Sequence, residues 1–268
     1  MVGRRRMLGL AAAAALPGLV IPSAGAERYP ARPVRVIVGF PAGGGADILT
    51  RLICDWLQSR LGQPFVIDNR PGAATNLATE AVVRAAADGY TLLATTTSNL
   101  LNGALFEDLK YDFIRDIAPV AGLSTQPLVL AVSPALQVRT VAEFIAHARA
   151  HPGQLNIGNS GNATISHLAA EAFKAATGVD VVTVPYRGAA AMLPDLMAGR
   201  VQAAIDNLPP YVAHIRSGSL SALAVTTRAR SPVLPNVPTV AEFVPGYEAY
   251  TVAGLGAPRG TPADVIDR

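Results

Sequence analysis

Short apolar runs alternate with segments of helical periodicity along most of the chain. The apolar runs predict strands at residues 34–38, 65–68, 91–95, 128–132, 154–158, 181–184, 203–206 and 220–225. The segments between them predict helices at residues 46–61, 76–87, 140–150, 165–177, 190–198 and 210–217. Such alternation is typical of parallel βαβ units, so we predict an α/β fold. Ligands of these folds bind beyond the carboxyl ends of the strands.

Two proline-containing passages interrupt this alternation. Residues 116–133 are predicted to be extended, and residues 231–262 irregular, because six prolines in the second passage exclude helix interiors. We interpret the passages as the two crossings of a hinge between two lobes. Lobe 1 then comprises residues 27–125 and 250–268, lobe 2 comprises residues 126–249, and a ligand binds in the cleft between them.

The first 26 residues have the pattern of an export signal. Arg4-Arg5-Arg6 precedes an apolar run to about Ile21, and Ala24-Gly25-Ala26 provides small residues for cleavage after Ala26. The run is too short and too interrupted for a membrane anchor. We therefore expect a mature protein in the periplasm, exported by either the Sec or the twin-arginine route.

The apparent positive charge belongs to this signal. The chain has 22 Lys and Arg residues against 19 Asp and Glu; three of the arginines and none of the acids lie in the signal, so the mature chain is formally neutral. A neutral chain with few aromatic residues does not favour nucleic-acid binding. Cys54 is the only cysteine, so no disulfide forms within the chain, and we expect it to be buried with Trp56, Phe144 and Phe173 as core residues.

The glycine-rich loop after the first predicted strand is the clearest candidate binding feature. Phe40-Pro41-Ala42-Gly43-Gly44 leads directly into the first predicted helix, which contains Asp47. Glycines allow close approach to a ligand, and the helix start offers unpaired N–H groups to an anion. The spacing fits neither of the common nucleotide-binding motifs. The alternative is a tight strand-to-helix corner without a ligand.

Three further turns lie at the same predicted sheet edge. The turn Ser160-Gly161-Asn162-Ala163-Thr164 offers hydroxyls, an amide and backbone N–H groups, although Thr164 is equally suited to cap its own helix. The turn Tyr186-Arg187-Gly188 offers a guanidinium for an anion or for a surface carboxylate. Thr97-Ser98-Asn99 adds neutral donors. This chemistry suits binding and release of a small carboxylate better than catalysis.

A catalytic alternative uses Ser160, His167 and Asp206 as nucleophile, base and orienting group. The G-x-S-x-G elbow is absent, because Gly161 follows Ser160 directly. His147 and His151 are four residues apart, but no zincin motif accompanies them, so we expect no metal site and no cofactor.

Several short motifs, in order, resemble a known family: the periplasmic solute-binding receptors of tripartite tricarboxylate transporters, or Bug family. The motifs are Val36-Ile37-Val38-Gly39-Phe40-Pro41-Ala42-Gly43-Gly44 with Asp47, Asn69-Arg70-Pro71-Gly72-Ala73, Asp88-Gly89-Tyr90-Thr91, Asp112-Phe113 with Asp116-Ile117-Ala118-Pro119, His151-Pro152-Gly153, Ser160-Gly161-Asn162 with His167-Leu168-Ala169, Val184-Pro185-Tyr186-Arg187-Gly188 and Pro235-Asn236-Val237-Pro238-Thr239. The resemblance covers essentially the whole mature chain.

The resemblance implies a two-lobed, type II Venus-flytrap fold with parallel-rich mixed sheets. It implies ligand contacts on the 40–44 loop, at 97–99, on the 160–164 turn and at Asp206. Because Thr261-Pro262 has the pattern of a helix start, we also expect that the C-terminal part of lobe 1 is truncated. The candidate ligand-binding residues are Phe40, Pro41, Ala42, Gly43, Gly44, Asp47, Thr97, Ser98, Asn99, Ser160, Gly161, Asn162, Ala163, Thr164, His167, Tyr186, Arg187, Gly188 and Asp206.

The leading hypothesis is a monomeric receptor that binds a small organic carboxylate and delivers it to membrane transporter subunits. The alternatives are a periplasmic hydrolase or transferase that uses Ser160 and His167, and a ligand receptor for a membrane sensor kinase. Asp206 would repel an anion unless it is paired. One hypothesis is that it receives an amino or hydroxyl group of the ligand; the one that we favour is that it binds Arg187 or the opposing loop when the cleft closes.

Overall fold

The computed structural model describes residues 29–268, and the predicted signal and its cleavage site lie outside these residues. The strands are β1 Val34–Val38, β2 Phe65–Asn69, β3 Thr91–Thr96, β4 Ile117–Val132, β5 Asn156–Asn159, β6 Val182–Pro185, β7 Ala203–Asn207, β8 Ser221–Val225 and β9 Tyr250–Pro258. The helices are α1 Gly45–Leu61, α2 Asn76–Val83, α3 Thr97–Leu105, α4 Phe113–Asp116, α5 Val141–Ala150, α6 Ile165–Thr177, α7 Ala189–Met197, α8 Val212–Arg216 and α9 Ala263–Ile266.

The strands form one continuous path with the order β2-β1-β3-β9-β4-β7-β5-β6, and β8 pairs with β4. β1 is parallel to β2 and β3, and β5 is parallel to β6 and β7. The long strands β4 and β9 are antiparallel to their neighbours. The predicted α/β fold with mixed sheets is therefore confirmed, with parallel and antiparallel pairings equally represented in the described residues. Lobe 1 denotes below the part built on β1, β2 and β3, and lobe 2 the part built on β5 to β8.

Both faces of the lobe 1 sheet are covered by helices, which explains why the central strand β1 has apolar residues on both faces. Val34, Val36 and Val38 pack in one layer with Cys54 of α1. Ile37, with the opposite side-chain direction, packs on the other face in the layer that includes α2. Cys54 is buried, as expected, and burial raises the pKa of its thiol to about 11.

The lobe 2 sheet is built in the same way. Leu128 and Leu130 of β4 pack on Phe144 and Phe173, two of the predicted core residues. Alternate residues of the same strand, beginning with Val129, face the layer that contains α7. Trp56 was predicted to lie in the core, and this prediction is wrong: the residue is 56% exposed on α1.

The two long strands connect the lobes. The first part of β4, Ile117 to Pro127, pairs with β9, and its last part, from Leu128, pairs with β7 and β8. The extended passage at 116–133 is thus confirmed, whereas the prediction of irregular chain throughout 231–262 is wrong because β9 lies within it. The prolines of this passage are compatible with β9, because the strand contains only one proline, Pro258, and it is the last residue of the strand. The residue boundaries of the lobes stay a prediction.

The strand ends bring the candidate segments to the cleft. β1 leads into the 40–44 loop and α1, β3 into α3, β5 into the 160–164 turn and α6, and β6 into α7. The helix α3 was missed, because Thr97-Ser98-Asn99 was interpreted only as a polar strand end. Within residues 29–268, no helix has the length and apolar character needed to cross a membrane.

Candidate functional site

Two neighbouring spaces lie between the lobes. The inner cavity has a volume of about 20 Å³, enough for one water-sized molecule. The outer groove, at the mouth of the cleft, has a volume of about 750 Å³. Four residues line both spaces: Phe40, Pro41, Ser160 and Gly188. The two spaces therefore share part of their walls.

The lobes are closed on each other around the inner cavity. A β-carbon placed on Gly188 of lobe 2 would lie 3.3 Å from the ring of Pro41 in lobe 1. The Ile165 amide at the start of α6 donates across the cleft to Ser98 Oγ at 3.2 Å. Ser98 is completely buried. These contacts bring the two lobes together around the inner cavity.

The start of α1 presents unpaired amides to the inner cavity. Its N-cap is Gly44, which has no side chain to accept a hydrogen bond. Gly45 and Ala46, the first two residues of the helix, line the cavity. The N–H groups of a first helical turn have no partner within the helix and lie at the positive end of its dipole. This end of α1 is suited to an anion.

The start of α7 presents a second set of amides from the other lobe. Its N-cap is Gly188, with φ +84°, and again no side chain accepts from the first turn. Gly188 and Ala189 line the inner cavity opposite Gly45. The sequence had identified this turn for its guanidinium and missed Ala189. The available signal was a glycine immediately before a run of alanines, a glycine N-cap that leaves the first amides free.

The start of α6 differs, because its amides already have partners within the protein. Thr164 accepts from the His167 amide at 3.3 Å, so the alternative that Thr164 caps its own helix is confirmed. The other amides of this turn donate to neighbouring side chains: Ser160 to Ser166, Gly161 to Asn159 and Ala163 to His167. What this turn offers to the inner cavity is therefore the Ser160 side chain.

Ser160 belongs to a buried hydroxyl–carboxylate cluster. Its Oγ donates to Asp206 Oδ2 at 2.6 Å, and the Tyr211 hydroxyl donates to the same oxygen at 3.2 Å. Asp206 is 1% exposed, and its Oδ1 has no hydrogen-bond partner among the described residues although Asp206 lines the inner cavity. Burial raises the pKa of Asp206, and the hydroxyl donors only partly offset that effect.

The catalytic alternative does not assemble. Ser160 donates to Asp206 rather than to His167, whose Nδ1 instead accepts from the Ala163 amide at 3.4 Å. The rings of His147 and His151 stack 4.4 Å apart, and residues 29–268 contain no group of three or more His, Cys, Asp or Glu arranged to hold a metal. Ser160 and His167 therefore do not form a nucleophile and base pair.

The structure separates the predicted site residues into three groups. Those lining the inner cavity are Phe40, Pro41, Gly44, Ser98, Ser160, Gly188 and Asp206. The outer groove adds Gly161, Asn162, Ala163, Thr164, Tyr186 and Arg187. Neither space is lined by Ala42, Gly43, Asp47, Thr97, Asn99 or His167.

Several of the residues in the last group hold the walls in place. Asn99 accepts from the Thr96 amide at 2.7 Å and so caps α3. Thr97 accepts from the Val252 amide at 2.8 Å. The expected contact between Asp206 and Arg187 is not present: Asp206 is buried with Ser160 and Tyr211, whereas Arg187 is exposed.

Some cavity residues were not foreseen from the sequence. They are Gly45, Ala46, Thr96, Gln126, Ile165, Ala189, Asn207, Thr251 and Ala253 in the inner cavity, and Leu105 and Phe106 in the outer groove. Asn207 directly follows Asp206, and its Oδ1 accepts from Thr251 at 2.6 Å. The groove residues of α3 were missed together with that helix.

Asp47 holds the glycine loop. Its Oδ2 accepts from the Gly43 amide at 2.9 Å, and its Oδ1 accepts from Asn69 at 2.9 Å. Arg51 pairs with both oxygens at 2.8 and 3.0 Å. Burial alone would raise the pKa of Asp47, but the hydrogen bonds from Arg51, Gly43 and Asn69 together lower it. Asp47 is a positioning residue rather than a cavity wall.

We expect Asp47→Ala to loosen this loop. The change removes a buried carboxylate that accepts from the Gly43 amide, Asn69 and Arg51. Losing hydrogen bonds to a charged group costs about 1.5–3 kcal/mol of unfolding free energy. The loop must then be ordered by the ligand, which weakens binding by about tenfold. Denaturant unfolding and calorimetric titration measure the two effects. Because the pKa of Asp47 is lowered, its stabilisation is present at neutral pH and is lost as the pH falls through that pKa.

Asp55→Ala is the matched control, since Asp55 is an exposed residue on the same helix. It should leave stability and binding unchanged. Equal effects of the two substitutions would show that Asp47 does not position the loop.

Comparison with known proteins gives consistent matches. The family described as "Tripartite tricarboxylate transporter family receptor" matches residues 49–268. Protein BugT of Bordetella pertussis is 38% identical over 263 residues, which cover 94% of this chain and 80% of that protein. A protein encoded in the tcbD-tcbE intergenic region of a Pseudomonas species is 36% identical, covering 100% of this chain and 80% of its own length.

Solved structures show the same fold. R. palustris Rpa4515, determined with adipate, has a TM-score of 0.86 and 42% identity, covering 89% of this chain and 80% of its own. MatC of Rhodopseudomonas palustris, determined with bound malate, has a TM-score of 0.83 and 33% identity, covering 89% of this chain and 82% of its own.

Proposed function

The chain belongs to the tripartite tricarboxylate transporter receptor family, and on that premise we propose that it captures a small organic carboxylate between its two lobes and delivers it to membrane subunits of such a transporter. Members of this family are solute-binding proteins rather than enzymes. This agrees with the finding that Ser160 donates to Asp206 and not to His167. Binding and release then proceed by opening and closing of the cleft, without a covalent step.

One observation carries this proposal: two uncapped helix starts, one from each lobe, meet at the same inner cavity. Gly45 and Ala46 of α1 and Ala189 of α7 all line it. Both dipoles direct their positive ends at one place, and the Ser160 hydroxyl lies beside them. A carboxylate bound there contacts both lobes at once, so it stabilises the closed state relative to the open one.

The ligands of the structural neighbours support a carboxylate. Rpa4515 was determined with adipate and MatC with malate, and both share more than 30% identity with this chain. Among residues 29–268, no positively charged side chain lines the inner cavity, so amides and hydroxyls, together with ordered water, would hold one carboxylate there. The described residues that we propose for this contact are Gly45, Ala46, Ser160 and Ala189, with Asp206 behind Ser160.

The cellular setting follows from the same premise. We propose a periplasmic protein that is exported by a signal in residues 1–26 and cleaved after Ala26, and that works as a monomer. The membrane subunits would recognise the closed, liganded form, which presents a surface composed of both lobes.

Native mass spectrometry of the purified protein, combined with thermal unfolding, tests this function. We expect a panel of carboxylates that includes adipate, malate and succinate to raise the unfolding temperature, and the bound acid to be recovered unchanged in mass. The uncharged diamide of adipate should give no shift. Stabilisation by the diamide as strong as by adipate, or conversion of a bound acid into product, would contradict the proposed function.

A further inference from the structure

One hydrogen bond joins the opposite walls of the cleft directly. The Ile165 amide of lobe 2 donates to Ser98 Oγ of lobe 1 at 3.2 Å. Within residues 29–268, the other hydrogen bonds between the two parts of the molecule involve β4 or β9, the strands that connect the lobes, as in the bond from Thr251 to Asn207. Separation of the cleft walls therefore breaks the bond between Ile165 and Ser98.

The donor of this bond is an amide that has no acceptor within its own helix. Ile165 is the first residue of α6 and follows the N-cap Thr164. The N–H groups of a first helical turn lack partners within the helix. The His167 amide and those of the preceding turn donate to side chains of lobe 2. The Ile165 amide differs from them, because its acceptor belongs to the opposite lobe.

The acceptor is held in position by its own helix. Ser98 is the second residue of α3, whose start is fixed by a capping box between Thr96 and Asn99. Asn99 also donates to the Thr79 hydroxyl at 2.9 Å, and both of these side chains are buried. The Ser98 hydroxyl is therefore placed by contacts within lobe 1, and a preorganised group loses little entropy when it forms a hydrogen bond.

Ser98 serves a different helix from those assigned to the ligand. The proposed carboxylate contacts include Gly45 at the start of α1 and Ala189 at the start of α7. At the start of α6, the Ser98 oxygen takes the place that an anion would otherwise occupy. The hydrogen bond to Ile165 thus stabilises contact between the lobes whatever the shape of the ligand.

We infer that Ser98 is a latch: its hydrogen bond with the Ile165 amide stabilises the closed state equally for every ligand, so Ser98 sets how tightly the receptor binds and not which acid it prefers. The latch rests on the proposed function, because it affects binding only if the cleft closes around a ligand. A ligand that needs the closed state binds more weakly when that state is less populated. Ser98 is then a positioning residue rather than the ligand contact expected from the sequence.

Calorimetric titration of Ser98→Ala with adipate, malate and succinate tests the latch. Loss of one neutral hydrogen bond should weaken each acid that binds the wild-type protein by about three- to tenfold. The factors for different acids should agree to within about twofold, because the closed state is lost equally for all of them. Ser59→Ala removes the same hydroxyl from an exposed position that lines neither space, and it should leave all affinities unchanged.

Hydrogen exchange of the Ile165 amide provides a readout that a general loss of stability would not reproduce. With saturating acid, this amide should exchange at least about tenfold more slowly in the wild type than in Ser98→Ala, because Ser98 is its acceptor. The amide of Phe173, inside α6, should be equally protected in both proteins. Ser98→Cys, whose sulfur is a weaker acceptor, should give intermediate results in both measurements.

The outcomes separate the latch from the proposed function. Equal exchange of the Ile165 amide in the two complexes, unchanged affinities in Ser98→Ala, or a loss confined to one of several acids that bind would overturn the latch and leave the carboxylate receptor intact. Failure of every acid to bind the wild-type protein would instead refute the proposed function, and the latch with it.

Discussion

Gly45→Val should weaken carboxylate binding by about a hundredfold or more, while lobe 1 remains folded. Gly45 is the first residue of α1, and a β-carbon built there would lie 2.9 Å from the β-carbon of Asn207 in lobe 2. Carbon atoms in contact are about 3.5–4.0 Å apart, so the lobes must separate by about 1 Å. A shift of this size at a binding site can reduce function by about a hundredfold.

The cause of this loss is steric, because valine retains the amide that we assign to the ligand. Gly45 does not have a positive φ, so a larger side chain is not strained by the backbone itself. Gly45→Ala is expected to produce a smaller loss in the same direction. Binding is measured by calorimetric titration, and closure by the change in radius of gyration on adding ligand.

Gly103→Ala is the matched control for this prediction. Gly103 lies within α3 of the same lobe, also without a positive φ, and a β-carbon there meets nothing within 4 Å. This variant should bind ligand and close normally. Wild-type affinity in Gly45→Val would show that closure of the lobes at this contact is not needed for binding.

Carboxylate affinity should fall as the pH rises, and Asp206→Asn should remove that dependence. Asp206 is buried at the inner cavity with Oδ1 unpartnered, and its titratable neighbour is Tyr211. Burial raises the pKa of Asp206, and a bound anion beside it raises that pKa further. Between the pKa of Asp206 in the free protein and its higher pKa in the complex, ligand binding is therefore accompanied by uptake of a proton. In that range the affinity decreases by up to about tenfold for each unit by which the pH rises.

The same raised pKa fixes the sign of the stability effect. The folded protein binds more protons at Asp206 than the unfolded chain does, so the contribution of Asp206 to unfolding free energy decreases as the pH rises above its ordinary value. This direction is opposite to that expected for Asp47, whose pKa is lowered. The two carboxylates can be distinguished by their opposite effects on stability.

Titrations in buffers of different ionisation enthalpy count the protons taken up on binding. We expect uptake by the wild-type protein and none by Asp206→Asn, whose neutral amide resembles the protonated acid and keeps partners for Ser160 and Tyr211. Asp206→Ala, in contrast, leaves both hydroxyls unpaired and should lower the unfolding free energy by about 1–3 kcal/mol. Proton uptake that is the same in the wild type and in Asp206→Asn would assign the effect to another group.

The sequence predicted most elements of the fold, because their patterns are local. β1 occupies the predicted residues 34–38, and α6 the predicted residues 165–177. The same periodicities could not identify α3, whose first turn is polar and is instead fixed by a capping box between Thr96 and Asn99. β9 was obscured by the glycines and prolines around it, and its pairing with β4 is a long-range contact.

The candidate site was predicted only in part, for a related reason. Sequence pattern located the 40–44 loop and Ser160, but it could not show which amides remain free. Whether an amide remains free depends on contacts within the folded protein. The Gly43 amide already donates to Asp47, and the Ile165 amide already donates to Ser98. The contact between Ser160 and Asp206 arises because β5 lies beside β7, an order that differs from the order along the chain.

A crystal structure of the protein with bound adipate tests the central claim most directly. The account predicts one carboxylate in the inner cavity, with its oxygens about 3 Å from amides at the start of both α1 and α7, near Gly45 and Ala189. A carboxylate that contacts only one lobe, or that lies outside the cleft in the apolar hollow beside Trp56 and Leu57, would contradict it.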